Sequence, residues 1–402
     1  MLFKSLIGAA LASSALAAPA LTQLLEPVVN GTSSNSTGSA TNGTSMTNST
    51  GPYTPKVMIV SMFTPEREVW LQPLNLTNNV TFIGASPLFP NIACNDEYST
   101  CIVTTGEAEI NAASTIMALT LTPKFNLTQT YFLIAGIGGI RPSEGTLGSA
   151  AWARFSVQSG LAYELDARQI PSNWSAGYWA LGTKAPGQLP ATTDLYGTEV
   201  FELNTNLLSR VYNLTQGLTL NDSTVAQEYR AKYDFAPANQ PPKVFLGDSL
   251  CSDAYFAGTI LSDVWANYTK LMTQGQGTYA LTAQEDNASL EAFMRASTSG
   301  LVDYSRIMLL RTASDFDSAP NSTFDALTAF QAEQGAFMPA IQNILIVGRP
   351  VVEDIHSNWD SLYAAGIAPP AVVNGSYYGD DLGTLRNGTA QARRYRRSSY
   401  RA

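Results

Sequence analysis

Two aspartates close the stretch Ser305–Asp317, SRIMLLRTASDFD, and they are the first candidates for chemistry. Ile307–Leu310 is a continuous apolar run, the pattern of a strand buried on both faces of a parallel sheet. We read the strand as Ser305–Thr312. Ligands of open α/β sheets sit beyond the carboxyl ends of such strands. Asp315 and Asp317 would then stand at the expected place of an active site. The plainer reading makes them turn or helix-capping residues, roles that aspartate often fills.

Other chemistries lack their residues. The chain has one histidine, His356, in the helical run VVEDIHSNWDSLY. A Ser-His-Asp triad would have to recruit it, and no G-x-S-x-G elbow occurs. A zinc site needs several His or Cys ligands in a spacing that is absent. His356 is therefore read as a structural or surface residue. Gly136–Gly139 is an incomplete dinucleotide fingerprint, and no Walker lysine follows it. No metal or cofactor is expected, so the chemistry must rest on carboxylates.

The elements that would position these groups alternate. Lys56–Met62 reads as a first strand, with a helix from Pro65 whose Glu66 and Glu68 suit the positive end of the helix dipole. Thr100–Thr105 is a strand before a helix at Glu107–Leu121. Thr130–Ala135 is a strand that should end in a turn at Gly136-Ile137-Gly138-Gly139. Lys243–Leu246 precedes a long helix, Asp253–Met272. Thr278–Thr282 precedes a helix at Asp286–Ala296. Helices at about Thr323–Glu333 and Ala336–Val347 follow the Asp315 strand. This alternation predicts one α/β domain with a central mixed sheet flanked by helices. Polar groups then gather at the strand ends: Glu66, Gly106-Glu107, Gly136–Gly139, Gln284–Asn287 and Ser314-Asp315.

Composition sets the compartment. Residues 1–17 carry Lys4, an apolar stretch and Ala15-Leu16-Ala17, as in a secretory signal. No stretch offers ~20 uninterrupted apolar residues, so no membrane span is expected. Asn-x-Ser/Thr sequons start at Asn30, Asn35, Asn42, Asn48, Asn75, Asn79, Asn126, Asn173, Asn213, Asn221, Asn267, Asn287, Asn321, Asn374 and Asn387. Such density points to a secreted glycoprotein. Residues 18–54 read as a Ser/Thr/Asn-rich linker, 55–390 as the folded domain, and 391–402 as a basic disordered tail. The net charge of −9 argues against nucleic-acid polymers as partners. The chain has three cysteines. Cys94 and Cys101 flank a short polar segment and are expected to form a disulfide, which leaves Cys251 free.

The segments TTGEAEINAA at 104–113, LIAGIGGI at 133–140, TAQEDNA at 282–288 and LLRTASDFD at 309–317 carry a resemblance. With them the chain resembles the secreted fungal family named purine nucleoside permeases. More distantly it is similar to nucleoside phosphorylases and to methylthioadenosine/adenosylhomocysteine nucleosidases. That resemblance implies a nucleoside phosphorylase-like fold and purine nucleosides (inosine, guanosine, adenosine) as partners. Monomer and homodimer both stay open.

The resemblance also assigns roles. KVMIVSMFTPE aligns with the first nucleosidase strand and places Glu66 at the water-activating glutamate. Gly136, Ile137 and Gly138 match the turn whose backbone faces base and ribose, with a family serine replaced by Gly136. QEDNA matches the segment that holds the ribose hydroxyls, through Glu285 or its neighbour Asp286. Ser314-Asp315 matches the pair whose Asp protonates purine N7. A carboxylic acid protonating the base and a carboxylate activating water are what N-glycosidic cleavage requires. Tyr255 and Phe256 are candidates to stack on the base. The arginines that hold phosphate in phosphorylases are missing from both expected places. Arg67, on a helix beside two glutamates, reads as part of a surface pair. Hydrolysis is therefore favoured over phosphorolysis, and a non-catalytic binding or uptake protein is the remaining alternative.

Protein recovered from culture medium should begin near Ala18 and carry N-glycans. N-terminal sequencing checks the first expectation, and an intact Met1 terminus would contradict export.

Overall fold

The alternating pattern builds, in the computed structural model of the chain, a mixed sheet with helices on both faces. The structure describes residues 51–191, 194–321 and 324–370, and the backbone of a short strand pair, Leu385–Arg386 with Thr389–Ala390. The expected signal, most of the expected linker and the expected basic tail lie outside the described residues. The described residues from Pro52 onward belong to one compact unit.

Strand β1 (Val57–Ser61) leads into helix α1 (Thr64–Leu71). An edge pair, β2 (Asn78–Thr81) and β3 (Asn91–Cys94), precedes β4 (Thr100–Thr104) and α2 (Glu109–Leu121). The long β5 (Tyr131–Ile140) follows, then β6 (Ala150–Trp152), β7 (Phe155–Gln158), the ribbon β8 (Ala162–Glu164) and β9 (Tyr178–Ala180), and β10 (Val200–Glu202). Next come α3 (Thr205–Thr215), α4 (Thr224–Arg230), β11 (Val244–Leu246), β12 (Asp248–Cys251) and α5 (Thr259–Met272). The chain continues through β13 (Tyr279–Ala283), α6 (Asp286–Thr298), β14 (Ile307–Phe316), α7 (Ala326–Gln331) and α8 (Phe337–Ser357).

The burial pattern explains the layers. All five residues of β1 are buried. Val57 and Ile59 join a cluster with Trp70, Ile344 and Val351, under α1 and α8. Met58 and Val60 join another with Ile116, Leu119 and Phe293, under α2 and α6. A strand covered by helices on both faces needs apolar residues at every position, and β1 has them. In α1 the buried residues are Glu66 and Trp70, four apart and so on one face. Trp70 anchors that face in the core. Glu66 is thereby carried to the carboxyl end of β1.

β5 is the hub. β1 runs parallel to it over Val57–Val60 opposite Tyr131–Ile134. β14 runs parallel over its other side, from Ile307 opposite Phe132 to Phe316 opposite Ile140. β13 touches it antiparallel at a single pair, Leu281 opposite Ile140. Between the end of β1 and that pair, Ile137 and Gly139 turn backbone groups to side chains, Glu66 and Thr282, instead of to a strand.

The structure corrects several expectations. Gly136–Gly139 is not a turn: it is the second half of β5. Asp315 does not follow its strand but lies inside β14, beside a register shift at Ser314. The glycines allow the extension, because they let neighbouring groups approach β5 closely. Helix α5 begins at Thr259, so Tyr255 and Phe256 lie in the loop before it. Helix α8 runs on to Ser357 and includes His356. The short strands β2, β3, β6 to β10 and β12 carry little apolar periodicity and were not anticipated. Cys94 and Cys101 stand opposite each other in β3 and β4 and form a disulfide, while Cys251 is a buried thiol.

Asn287 is 2% exposed. Its Oδ1 accepts from Ser156 Oγ at 2.6 Å and its Nδ2 donates to Thr198 O at 2.8 Å. A glycan on this atom is incompatible with the fold. Glycopeptide mapping should find Asn287 bare. Asn287→Ala should lower stability by about 1–3 kcal/mol in denaturant titration, the usual cost of stranding buried partners.

Candidate active site

The bare stretch of the β5 edge organises the site. Ile137 N donates to Glu66 Oε1 at 2.8 Å, and Met62 N donates to Glu66 Oε2 at 2.9 Å. Arg311, on the neighbouring β14, donates from Nη1 to Ile137 O at 3.0 Å. One side chain therefore takes each polar group that a strand would have paired. Further along, Gly139 N donates to Thr282 Oγ1 at 2.8 Å.

Arg311 is 3% exposed and gathers acids around itself. Nη2 reaches Glu285 Oε2 at 3.0 Å, and Nε lies 3.2 Å from both oxygens of Asp286. Ser249 Oγ donates to Asp286 Oδ2 at 2.6 Å. Glu285 Oε1 accepts from Ala108 N at 3.0 Å. Ala108 has φ 74°, a conformation that costs a non-glycine residue energy and clusters at functional sites. Asp286, 0% exposed, is thus committed to Arg311 and Ser249, while Glu285, 3% exposed, spans from Arg311 to the Ala108 N–H on the loop before α2. This separates the two residues that the sequence left as alternatives for the ribose.

Charge does not balance here. One guanidinium faces Glu66, Glu285 and Asp286. Burial pushes Glu66 up to about 8, with Arg311 opposing and Glu285 adding to the rise. Burial likewise raises Glu285 against the pull of Arg311. Burial opposes the charge of Arg311, but Asp286 and Glu285 outweigh it and hold its pKa above the usual range.

Asp315 lies on β14, opposite Gly139 of β5. Ser314 Oγ lies 2.6 Å from Asp315 Oδ1 and 3.1 Å from Gly138 O. Burial raises the Asp315 pKa, and the Ser314 hydroxyl partly offsets it. The residue still keeps an open side and is only half-buried. Asp317 is different: it is closed in, accepting from Ser262 Oγ at 2.7 Å and Tyr279 OH at 2.6 Å. Burial lifts it to about 6.

Space near the edge is made by glycine. A Cβ on Gly136 would stand 2.6 Å from Arg311 Nη1 and 2.7 Å from Glu66 Oε1. A Cβ on Gly138 would stand 1.9 Å from Thr282 O. Around the mouth, Glu107 is exposed on the loop before α2, its pKa raised by partial burial and by Glu285. Tyr255 is 70% exposed, yet its hydroxyl reaches inward to within 3.3 Å of Gln284 Oε1. Burial of that end, then Glu107, Glu285, Asp315 and Glu66, push its pKa up to about 12. Phe256 instead packs on Trp265 and Tyr279, with ring centroids 6.3 Å and 6.4 Å away. Its ring serves the core.

Sequence reasoning missed Arg311. Its signal was present, because an arginine inside the apolar run IMLLRTAS must be buried, and buried arginines demand acidic partners. Glu109 was missed too; it sits at the mouth, with its N–H donating to Asp253 Oδ1 at 3.0 Å. Arg67 does not pair with its neighbouring glutamates: its Nη1 lies 3.3 Å from Thr104 Oγ1 and 3.4 Å from Asn91 O. His356 is elsewhere. Its Nε2 lies 2.6 Å from Thr100 Oγ1, and it lines an open surface cavity of about 400 Å³ with Glu97 and Glu353. Among the described residues no group of three or more His, Cys, Asp or Glu is arranged to hold a metal.

The family model described as purine nucleoside permease matches residues 54–368. A purine nucleoside permease of Candida albicans is 43% identical over 337 residues, 83% of this chain and 82% of that one. A probable purine nucleoside permease of Schizosaccharomyces pombe is 37% identical over 316 residues, 76% of this chain and 90% of that one. Among solved structures, a futalosine hydrolase of Helicobacter pylori aligns with TM-score 0.45 and 12% identity, covering 75% of this chain and 98% of that one. A 5'-methylthioadenosine/S-adenosylhomocysteine nucleosidase from Neisseria meningitidis aligns with TM-score 0.44 and 12% identity, covering 75% and 99%.

Glu66 gives the site a pH signature. Its pKa is about 8 folded against an ordinary 4.5. The folded chain thus binds this proton more tightly than the unfolded one. The associated stability is complete below about pH 4.5 and is lost as pH rises through about 8. In thermal melts the protein should weaken across that window, and Glu66→Gln should weaken less. An equal or steeper fall in the variant would contradict the assignment.

Proposed function

The chain belongs to the purine nucleoside permease family, and on that premise we propose that it is an exported hydrolase of purine ribonucleosides such as inosine, guanosine or adenosine. Water is the second substrate; free base and ribose are the products. The observation that supports this reading is that the glycine-rich half of β5 is flanked by burial-raised carboxyls: Glu66 on Ile137 N, Asp315 opposite Gly139 on β14, and Glu285 on Arg311.

The roles follow from charge. As the N-glycosidic bond breaks, its electrons pass to the base and positive charge grows on the sugar. Asp315, whose neutral form burial favours, donates its proton to N7 of the departing purine. Glu285 accepts from the ribose hydroxyls and stabilises the cationic sugar electrostatically. Ionised Glu66 takes a proton from the attacking water. The backbone of Gly136, Ile137 and Gly138 lines the sugar side, and the exposed Tyr255 covers the mouth. Asp286 acts behind them by holding Arg311.

Hydrolysis is favoured over phosphorolysis because the guanidinium at the site is committed. Arg311 serves Glu285, Asp286 and Ile137 O, and Arg67 turns toward β4. A second reading, a nucleoside-binding uptake protein, is favoured by the relatives' name. No helix among the described residues is long and apolar enough to cross a membrane.

Incubation with inosine decides between these readings. Hypoxanthine and free ribose should appear with or without phosphate. Ribose 1-phosphate would establish phosphorolysis, and intact inosine would establish a binder. Asp315→Asn should lower kcat by about 10²–10⁴-fold with little change in melting temperature, the range typical of general acid catalysis. Glu66→Gln should act similarly, Glu285→Gln should also raise KM, and Asp317→Asn should cost less. Because Glu66 must be ionised, kcat/KM should climb on its account as pH rises toward about 8.

A further inference from the structure

The β8–β9 ribbon supplies none of the residues of the site. It pairs Tyr163 directly with Trp179, ring centroids 5.2 Å apart. Trp174 packs edge-on against Trp179 at 5.1 Å. Tyr178 faces the other way, 5.0 Å from Trp265 in the core. Three aromatic rings are therefore held together on the side of the ribbon away from Trp265, and Tyr163 remains 40% exposed. Two strands alone cannot bury such a face.

Asn173 sits in the turn that leads to it. Trp174 N donates to Pro171 O at 2.9 Å, which closes the turn. Asn173 and Ser175, the acceptor and the hydroxyl of the sequon Asn173-Trp174-Ser175, are both exposed. The sequon is thus presented on a tight turn, with its middle residue already stacked into the aromatic group.

We propose that Asn173 is an N-glycosylation site whose first sugars lie on the Trp174, Trp179 and Tyr163 rings. In the modification, Asn173 Nδ2 bonds to C1 of the reducing-end N-acetylglucosamine of a lipid-pyrophosphate-linked oligosaccharide. The bond from C1 to the pyrophosphate oxygen breaks, the lipid pyrophosphate leaves with the electron pair, and Nδ2 releases a proton. The C–H face of the sugar then removes aromatic surface from water, the same gain that buries such rings in cores. The proposal rests on export and is independent of the hydrolase reading.

The test uses full-length protein secreted into the medium. Glycopeptide mapping should find Asn173 occupied. Oxidative footprinting read by mass spectrometry should show Trp174 and Trp179 protected. Removing the glycan from the folded protein with peptide-N-glycosidase should raise their oxidation several-fold and leave Trp70 and Trp152, in the core, unchanged. Ser175→Ala should do the same without altering Asn173. A bare Asn173 would overturn the site. Unchanged oxidation of both tryptophans after deglycosylation would overturn the packing of the sugars, even if Ser175→Ala failed to be secreted.

Discussion

The unpaired stretch of the β5 edge is the constraint on which the site depends. β1 ends one residue beyond its pairing with Ile134, and β13 meets β5 only at Ile140. In the interval, partly buried backbone groups have no strand to satisfy them. A buried amide or carbonyl without a partner costs roughly 1–3 kcal/mol. Glu66, Arg311 and Thr282 meet that demand. The carboxylate and the guanidinium are therefore fixed to about the accuracy of the backbone itself.

Arg311 sets the electrostatics. A buried guanidinium must be compensated, and removing its partners typically costs 3–5 kcal/mol. Glu285 and Asp286, adjacent in sequence, reach it from the start of α6. Their excess of negative charge, with that of Glu66, cannot all remain ionised in a buried space. Raised pKa values at Glu66 and Glu285 are the result. A Glu66 carboxyl that holds its proton at neutral pH is thus a consequence of how the edge is satisfied.

Asp315 and Asp317 show how strand geometry divides similar residues. The register shift at Ser314 turns Asp315 toward Gly139 and leaves it half open. Asp317 is sealed between Ser262 and Tyr279, and its backbone oxygen accepts from Gly258 N. It holds the entry to α5 and hence the loop that carries Tyr255. One aspartate is available for chemistry; the other supports the wall around it.

The sequence by itself determined the fold class and which residue types could react. Period and composition are local, so the buried strands at 57–61, 100–104 and 307–310 were legible from their apolar runs. So were Glu66, Glu285 and Asp315 as acids at strand ends, since a chain with one histidine offers little else. Tertiary structure decided what those acids touch. Glu66 and Ile137 lie 71 residues apart, Arg311 and Ile137 174, and Glu285 and Ala108 177. No periodicity encodes such pairings. Gly136–Gly139 looked like a turn because glycine permits one. It is strand because β14 pairs along its length and because Met62, Arg311, Glu66 and Thr282 crowd the places where side chains would stand. Whether a glycine bends the chain or makes room for a neighbour is settled by that neighbour, which local sequence does not contain.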